Sequence, residues 1–248
     1  MVKGQAFRRR PASPPLVMGH RGVRGAAPEN TMAAFELAFQ QGADGVELDV
    51  RTCKTGDVVV CHDPTLARAT NGREDRAVAE MTAGELHATD VGDGEPVPLL
   101  DDVLAWARER AVKVNVEMKH DVPVRREVVQ QTVRALARSS GEEVIVSSFD
   151  PLMLGYFMVL CPRIPVGYLF ARDQRWRAAG WGAALLRAFA VHPDRACVDD
   201  AMCAAWRARG HAINVWTVND PTEAARLSEL GVDAIITDVP AVIARAVR

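Results

Sequence analysis

The sequence predicts an α/β protein, a (β/α)8 barrel with a small insertion after its second strand, and three observations predict it. Short aliphatic runs alternate with helix-length stretches from Leu16 almost to the last residue, a rhythm that implies parallel pairing because a parallel crossover needs a helix-length connection. About eight such units fit within 248 residues, a length that closed barrels of this kind use for one domain. Acids, histidines and a lysine cluster where several aliphatic runs end, and barrels place reactive groups at those C-terminal strand ends. Periodicity alone also admits an open doubly wound sheet.

The elements follow in order. Strand patterns cover residues 16–18, 45–50, 58–61, 112–118, 144–147, 165–170, 196–198, 213–217 and 234–236, and helical patterns cover 31–41, 100–110, 124–138, 152–160, 175–190, 201–209, 222–230 and 241–246. Asp150 before Pro151, Asp220 before Pro221 and Asp238 near Pro240 each resemble an N-cap followed by proline in the first helical turn. Residues 66–98 break the rhythm with Asn71-Gly72, Asp93-Gly94 and Pro96-Val97-Pro98, which are turn and loop signals. They are expected to form a small insertion over one side of the site. Residues 1–14 carry Arg8, Arg9 and Arg10 followed by three prolines and read as a disordered polar leader, which leaves 15–248 as a single barrel domain.

Composition narrows the function. With 48% apolar residues and a net charge of −2, there is no broad electropositive field, which argues against a nucleic-acid partner. No apolar run approaches the ~20 residues of a membrane span, so no stable membrane insertion is expected. Cys53, Cys61, Cys161, Cys197 and Cys203 show no zinc spacing. An odd count with no secretion signal suggests reduced thiols and a cytoplasmic setting.

The chemistry concentrates in a few segments. In Glu47-Leu48-Asp49 the strand alternation puts both acids on one face and Val46, Leu48 and Val50 on the other. The run Val114 to Lys119 does the same for Asn115, Glu117 and Lys119. Taken alone, the first segment could be the wet face of an amphipathic strand, and Glu117 with Lys119 a structural ion pair. Inside a barrel, however, such close acids repel unless a cation or proton intervenes. Glu47, Asp49 and Glu117 make an all-oxygen set suited to a divalent metal, Mg²⁺ or Ca²⁺ rather than zinc. His20 and His62 stand at neighbouring strand ends, where one imidazole can accept a proton while the other donates one. Arg21 offers a planar fork and Lys119 a point charge for phosphate oxygens. Asp63 is placed to orient His62, or is a surface-loop acid. His87, His120, His192 and His211 have no comparable setting, and Cys61 has no activating partner.

These segments resemble the glycerophosphodiester phosphodiesterases. The likeness runs through Gly-His-Arg-Gly at 19–22, Pro-Glu-Asn-Thr at 28–31, Gly-Ala-Asp-Gly-Val-Glu-Leu-Asp-Val at 42–50 and Val-Val-Cys-His-Asp at 59–63. It continues in Asn-Val-Glu-Met-Lys at 115–119, Ser-Ser-Phe-Asp at 147–150, Val-Trp-Thr-Val-Asn at 215–219 and Gly-Val-Asp-Ala-Ile-Ile-Thr-Asp-Val-Pro at 231–240. It implies a (β/α)8 barrel with Glu47, Asp49 and Glu117 around a divalent metal and His20 and His62 as the acid-base pair. It also implies that Arg21 and Lys119 contact phosphate, that Glu29 and Asn30 shape the site, and that Trp216 lines the glycerol end. One departure is visible at Thr52-Cys53-Lys54-Thr55-Gly56-Asp57, where the family often has Asp-Gly after the threonine.

The expected reaction is metal-dependent hydrolysis of a small-molecule glycerophosphodiester to glycerol 3-phosphate and an alcohol. Two rivals are a lysophospholipase D activity, with Phe170, Trp176 and Trp181 as an apolar rim, and a non-catalytic phosphodiester-binding barrel. The second should have lost a histidine or an acid, and none is missing. A monomer and a homo-oligomer satisfy the sequence equally.

Overall fold

In the computed structural model, which describes residues 4–137, 143–172 and 182–248, eight parallel strands close into a barrel. They are β1 (Leu16–His20), β2 (Gly45–Thr52), β4 (Lys113–Met118), β5 (Val144–Ser148), β6 (Val166–Phe170), β7 (Ala190–Pro193), β8 (Ala212–Val215) and β9 (Ala234–Thr237). β1 pairs with β2 on one side and with β9 on the other, which removes the open-sheet alternative. The remaining strand, β3 (Val58–Val60), runs antiparallel to β2 outside the ring. The turn between β2 and β3 is too short for a parallel crossover, so the two can only form a hairpin.

The described helices of the outer layer include α1 (Met32–Gln40), α3 (Leu100–Arg110), α4 (Arg125–Leu136), α5 (Pro151–Leu160), α6 (Asp200–Ala208), α7 (Pro221–Glu229) and α8 (Pro240–Val247), with a short α2 (Ala83–His87) in the insertion. Asp150 and Asp220 cap α5 and α7 as the sequence suggests, each accepting from two backbone N–H groups ahead of a first-turn proline. Asp238 does not. The N-cap of α8 is Val239, with no side-chain bond, and Asp238 is used elsewhere.

Strand alternation divides the interior from the helix-facing layer. Val17, Val46, Leu48, Val50, Val114, Val116, Val144, Val146 and Val166 join the large cluster packed against the helices. Inside the barrel, at the N-terminal strand ends, Met18, Ile145, Ala190, Ala212 and Ala234 form a second cluster with Phe7. The alanines leave space, and an aromatic ring fills it.

That ring corrects the expected disordered leader, at least from residue 4. Phe7 is buried, the Arg9 backbone N–H donates to Asp233 Oδ1 at 2.8 Å, and the Arg8 and Arg9 guanidinium groups cap the carbonyls of Gly210 and Ser228 at 2.7 Å each. The arginines that read as a polar tail are spent on the ends of the loops and helices beneath the barrel.

A second correction concerns the seventh strand pattern, expected at 196–198, which stands for the sixth strand of the barrel. The strand is Ala190–Pro193, and Arg195–Cys197 is a 3-10 turn whose start Asp194 caps through the Ala196 N–H at 2.8 Å. A four-residue strand containing histidine and proline carries little strand signal, whereas the apolar run after it imitates one. Of the helix expected at 175–190, residues 175–181 lie outside the described residues, 182–186 are helical, and Ala190 already begins β7.

The insertion is ordered. Leu66, Val78, Met81, Leu86, Val91 and Val97 build a small core of their own against Cys53, Val59 and Cys61, and it flanks the β2 and β3 side of the barrel mouth. No described helix is long and apolar enough to cross a membrane.

Candidate active site

Strand register assembles the site. Glu47 lies opposite His20 of β1 and Asn115 of β4, and Asp49 lies opposite Glu117. Because residues two apart share a face, all of these side chains point into the barrel at its C-terminal end. Oxygens of Glu47, Asp49 and Glu117 come within 4.8 Å of one another, and all three residues are buried.

Two cations touch this triad. Lys119 Nζ lies 2.9 Å from Glu117 Oε1 and 3.3 Å from Asp49 Oδ1, and Arg21 Nε lies 3.1 Å from Asp49 Oδ2. Their charge is unevenly shared. Burial alone would raise the Asp49 carboxyl, but Lys119, Arg21 and a 2.9 Å bond from Asn30 Nδ2 hold it well below the usual range. Burial and the neighbouring Asp49 and Glu117 charges drive Glu47 well above that range, and burial with Asp49 also raises Glu117 despite Lys119. Three carboxylates and two cations leave an excess of negative charge, centred on Glu47.

Each histidine has an aspartate on Nδ1. His20 Nδ1 is 2.6 Å from Asp238 Oδ1, and His62 Nδ1 is 2.6 Å from Asp63 Oδ1. An ionised carboxylate only accepts, so Nδ1 carries a proton in both rings and Nε2 is the nitrogen free to exchange one. Burial would raise Asp238, but bonds from His20 and from Asn219 Nδ2 at 2.7 Å bring it below the ordinary aspartate range. Asp63 is lowered in the same way by Arg68 and His62. Burial, helped by the charges of Lys119 and Arg21, lowers the His62 imidazole below its ordinary value even against Asp49. The charged form of His62 is thereby disfavoured. His20 Nε2 stands 4.0 Å from Glu47 Oε2.

A pocket of about 210 Å³ opens over these groups. His20, Arg21, Glu47, His62, Asn115, Glu117 and Lys119 form its polar side, and Phe149, Leu169, Trp216 and Ile236 its apolar side. Phe149 meets Trp216 edge to face at 5.6 Å, and Trp216 Nε1 donates to the His192 carbonyl at 2.8 Å. Both rings are thereby fixed. Behind Arg21, Glu29 gathers Arg21, Arg24 and Arg68 at 3.0, 3.2 and 2.6 Å. A turn lets Arg21 reach back: Gly22 has φ of +90°, and a Cβ there would press to 2.5 Å from Ala34 of α1.

The glycerophosphoryl diester phosphodiesterase family model matches residues 20–242. The chain belongs to this family. It is similar to the glycerophosphodiester phosphodiesterase of Caldanaerobacter subterraneus, at 33% identity over 94% of this chain and 98% of that one. Among solved structures it resembles a phosphodiesterase of Oleispira antarctica in complex with the product sn-glycerol-3-phosphate, at 28% identity and a TM-score of 0.84, covering 94% of this chain and 96% of that one. It also resembles the Agrobacterium tumefaciens glycerophosphodiester phosphodiesterase, at 30% identity and a TM-score of 0.78, covering 94% and 98%.

As a member of the glycerophosphoryl diester phosphodiesterases, the chain is a phosphoric diester hydrolase. The ten residues singled out in the sequence fall into one neighbourhood: His20, His62, Glu47, Asp49, Glu117, Arg21, Lys119 and Trp216 reach the pocket or the triad, while Glu29 and Asn30 hold Arg21 and Asp49 from behind. Four contributors were not found in the sequence. Asp238 reads in the sequence as a helix cap, Asn219 stands at the end of Val-Trp-Thr-Val-Asn with no assigned role, and Arg68 sits in the insertion, bonded to Asp63 Oδ2 at 2.5 Å and Glu29 Oε1 at 2.6 Å. Phe149 had a signal in Ser-Ser-Phe-Asp but no assigned role. Phe170, expected on an apolar rim, is buried against Trp206 and Tyr168; Trp176 and Trp181 lie outside the described residues. His192 is enclosed in the barrel, where a Cβ at Gly167 would collide with its ring, and burial pushes it down to about 3.

Proposed function

We propose that this enzyme hydrolyses glycerophosphodiesters to glycerol 3-phosphate and an alcohol, with His20 and His62 as its acid-base pair and Glu47, Asp49 and Glu117 holding a divalent cation. The observation that carries the reading is the pair of imidazoles, each with an aspartate on Nδ1, beside a triad of carboxylates and the cations Arg21 and Lys119. Such a pocket has acid-base groups for breaking a P–O bond and positive charge for its phosphoryl oxygens. The sn-glycerol-3-phosphate found in the Oleispira enzyme supports a glycerophosphate product.

The donor chemistry fits the metal. Three carboxylate oxygens within 4.8 Å of one another suit Mg²⁺ or Ca²⁺, and a carboxyl as far raised as Glu47 lacks a counter-charge. When bound, the cation would polarise the phosphoryl oxygens and neutralise charge developing on them. Arg21 and Lys119 bind those oxygens from the protein side, Trp216 and Phe149 bracket the glycerol carbons, and Glu29 and Asn30 keep Arg21 and Asp49 in place.

His62, its charged form disfavoured, accepts the proton of the attacking hydroxyl, and His20 in its protonated form delivers one to the departing alcohol. If the attacker is the 2-hydroxyl of the glycerol unit, the new P–O bond closes a cyclic phosphate as the alcohol's P–O bond breaks. Water then opens the ring with the two imidazoles in reversed roles. The pocket is sized for a compact headgroup, and the burial of Phe170 removes part of the apolar rim that favoured acyl-bearing substrates.

Purified protein should be assayed on glycerophosphocholine, glycerophosphoethanolamine, glycerophosphoglycerol and lysophosphatidylcholine with Mg²⁺ and Ca²⁺ compared, following the released choline, ethanolamine or glycerol together with the phosphate-bearing product, glycerol 3-phosphate or its acylated form. Turnover of the first three over the fourth is expected. Turnover of lysophosphatidylcholine alone would replace this reading with the lysophospholipase D one.

A further inference from the structure

Arg51 shares the inward face of β2 with Glu47 and Asp49, one step nearer the barrel mouth, yet it does not line the pocket. It is 3% exposed, and a buried guanidinium must satisfy its fork of donors. They are spent on two neighbouring segments. Nε and Nη2 donate to the backbone carbonyl of His62 at 3.0 and 2.6 Å, Nη1 donates to the carbonyl of Asp121 at 3.0 Å, and Nη2 reaches the two Asp121 carboxylate oxygens at 2.8 and 2.9 Å.

The location of these bonds matters because His62 lies past the end of β3, where the ladder has stopped. Cys61 N–H still bonds to the Asp49 carbonyl at 2.9 Å, but His62 itself gains no strand partner. Its ring is steadied by Asp63, and its backbone by Arg51. Asp121 follows Lys119 by two residues in the turn after β4. One guanidinium thus links the strand of Asp49, the segment of His62 and the turn that follows Glu117 and Lys119.

We propose that Arg51 is a positioning residue that sets His62 against the carboxylate triad, without itself touching substrate. Lysine in its place keeps the charge but has a single ammonium in place of the planar fork, so it cannot hold both carbonyls and the carboxylate in one geometry. An acid-base group displaced by about 1 Å can cost on the order of 10²-fold in rate. The proposal rests on His62 being an acid-base group, and the test keeps the two claims apart.

The test compares Arg51→Lys, His62→Ala and the double variant on glycerophosphocholine, with kcat and KM measured separately, Mg²⁺ and Ca²⁺ affinity measured by calorimetry, and thermal unfolding followed. Arg51→Lys should lower kcat by about ten- to a hundredfold, with KM and cation affinity within about twofold of the parent. In the His62→Ala background it should lower kcat no further, because the group it positions is gone. An equal further loss in that background, or an unchanged kcat for Arg51→Lys alone, overturns the proposal. A His62→Ala enzyme of full activity would instead overturn the acid-base reading. Should Arg51→Lys fold poorly, Asp121→Asn loosens the fork from its half-exposed end; it should show a smaller kcat loss that also vanishes in the His62→Ala background, and persistence of that loss there overturns the proposal equally.

Discussion

His20 Nδ1 and Asp238 Oδ1, 218 residues apart in the chain, meet at 2.6 Å across the seam where the last barrel strand pairs with the first. Barrel closure therefore completes the His20 dyad. Asn219 extends it, donating to Asp238 Oδ2 at 2.7 Å while its Oδ1 accepts from the Asp238 N–H at 2.9 Å and Thr237 Oγ1 at 3.1 Å. Asp238 has no freedom to choose another partner.

Asp238→Asn keeps the shape but replaces an obligate acceptor with an amide that can present N–H to the ring, favouring the tautomer with its proton on Nε2. We expect kcat to fall by about 10²–10⁴-fold with KM little changed, the size seen when an orienting aspartate is lost from a catalytic histidine. Steady-state kinetics checks it. Retained kcat in a correctly folded variant would remove the dyad from the mechanism.

The triad makes a linkage prediction. Burial and the Asp49 and Glu117 charges raise Glu47 in the folded, cation-free protein, so between the ordinary carboxylate range and its raised value the folded state binds more protons than the unfolded one. By linkage, the stability of the cation-free protein then falls as pH rises through that window. Asp49, which is lowered, acts oppositely: its contribution is present above the ordinary aspartate range and is lost as pH falls below it. A divalent cation should displace the Glu47 proton, so its affinity should rise with pH and binding should release protons. Calorimetry in buffers of different ionisation enthalpy measures that release. Chelation should abolish turnover, and Glu47→Gln should weaken cation binding while reducing the proton release, the remainder coming from Glu117, which is also raised. Cation affinity independent of pH across the window would argue against Glu47 as a ligand.

The fold was legible in the sequence because the signals for parallel strands are cumulative. Val46, Leu48, Val50, Val114 and Val116 face helices on the outside of the ring, and the acids between them could face only inward, so the same alternation that revealed β2 and β4 revealed the triad. What stayed hidden depends on pairing between distant segments. Asp238 beside Pro240 has the local form of a helix cap, and only the β9 to β1 contact shows that it serves His20. Arg68 has no local mark at all in a loop of mixed charge. Arg8 and Arg9 looked like a solvated tail because their partners are mostly backbone carbonyls, which no side-chain pattern encodes.

The docked N-terminus should show itself in stability. Phe7 is fully enclosed with Met18, Ile145, Ala190, Ala212 and Ala234 at the base of the barrel, so Phe7→Ala leaves a cavity that rigid strands cannot close. A loss of about 3–5 kcal/mol is expected, read as a lower urea midpoint with an unchanged slope, while kcat at 25 °C stays near that of the parent because the site lies at the opposite end. An unshifted midpoint would mean that the first residues are the loose leader their composition suggested.

The last prediction concerns the nucleophile. A glycerophosphodiester carries a hydroxyl on the carbon adjacent to the one that bears the phosphorylated oxygen, and holding it in line with the leaving alcohol makes the attack intramolecular, with a large effective molarity. The pocket has the means to hold it: Trp216 and Phe149 are fixed edge to face on one side, and Arg21 and Lys119 are tied to Asp49 on the other. In the proposed mechanism His62, whose charged form is disfavoured by burial and the nearby cations, takes the hydroxyl proton. A diester lacking the 2-hydroxyl should therefore bind but turn over slower by about 10²–10⁴-fold, the span of general-base activation of a poised group. His20→Ala and His62→Ala should cause comparable losses on the normal substrate without lowering cation affinity, and a cyclic glycerophosphate should be detectable by phosphorus NMR at early times. Turnover of the 2-deoxy analogue at the normal rate would establish direct attack by water, leaving the carboxylate triad and both dyads in place and changing only what the histidine deprotonates.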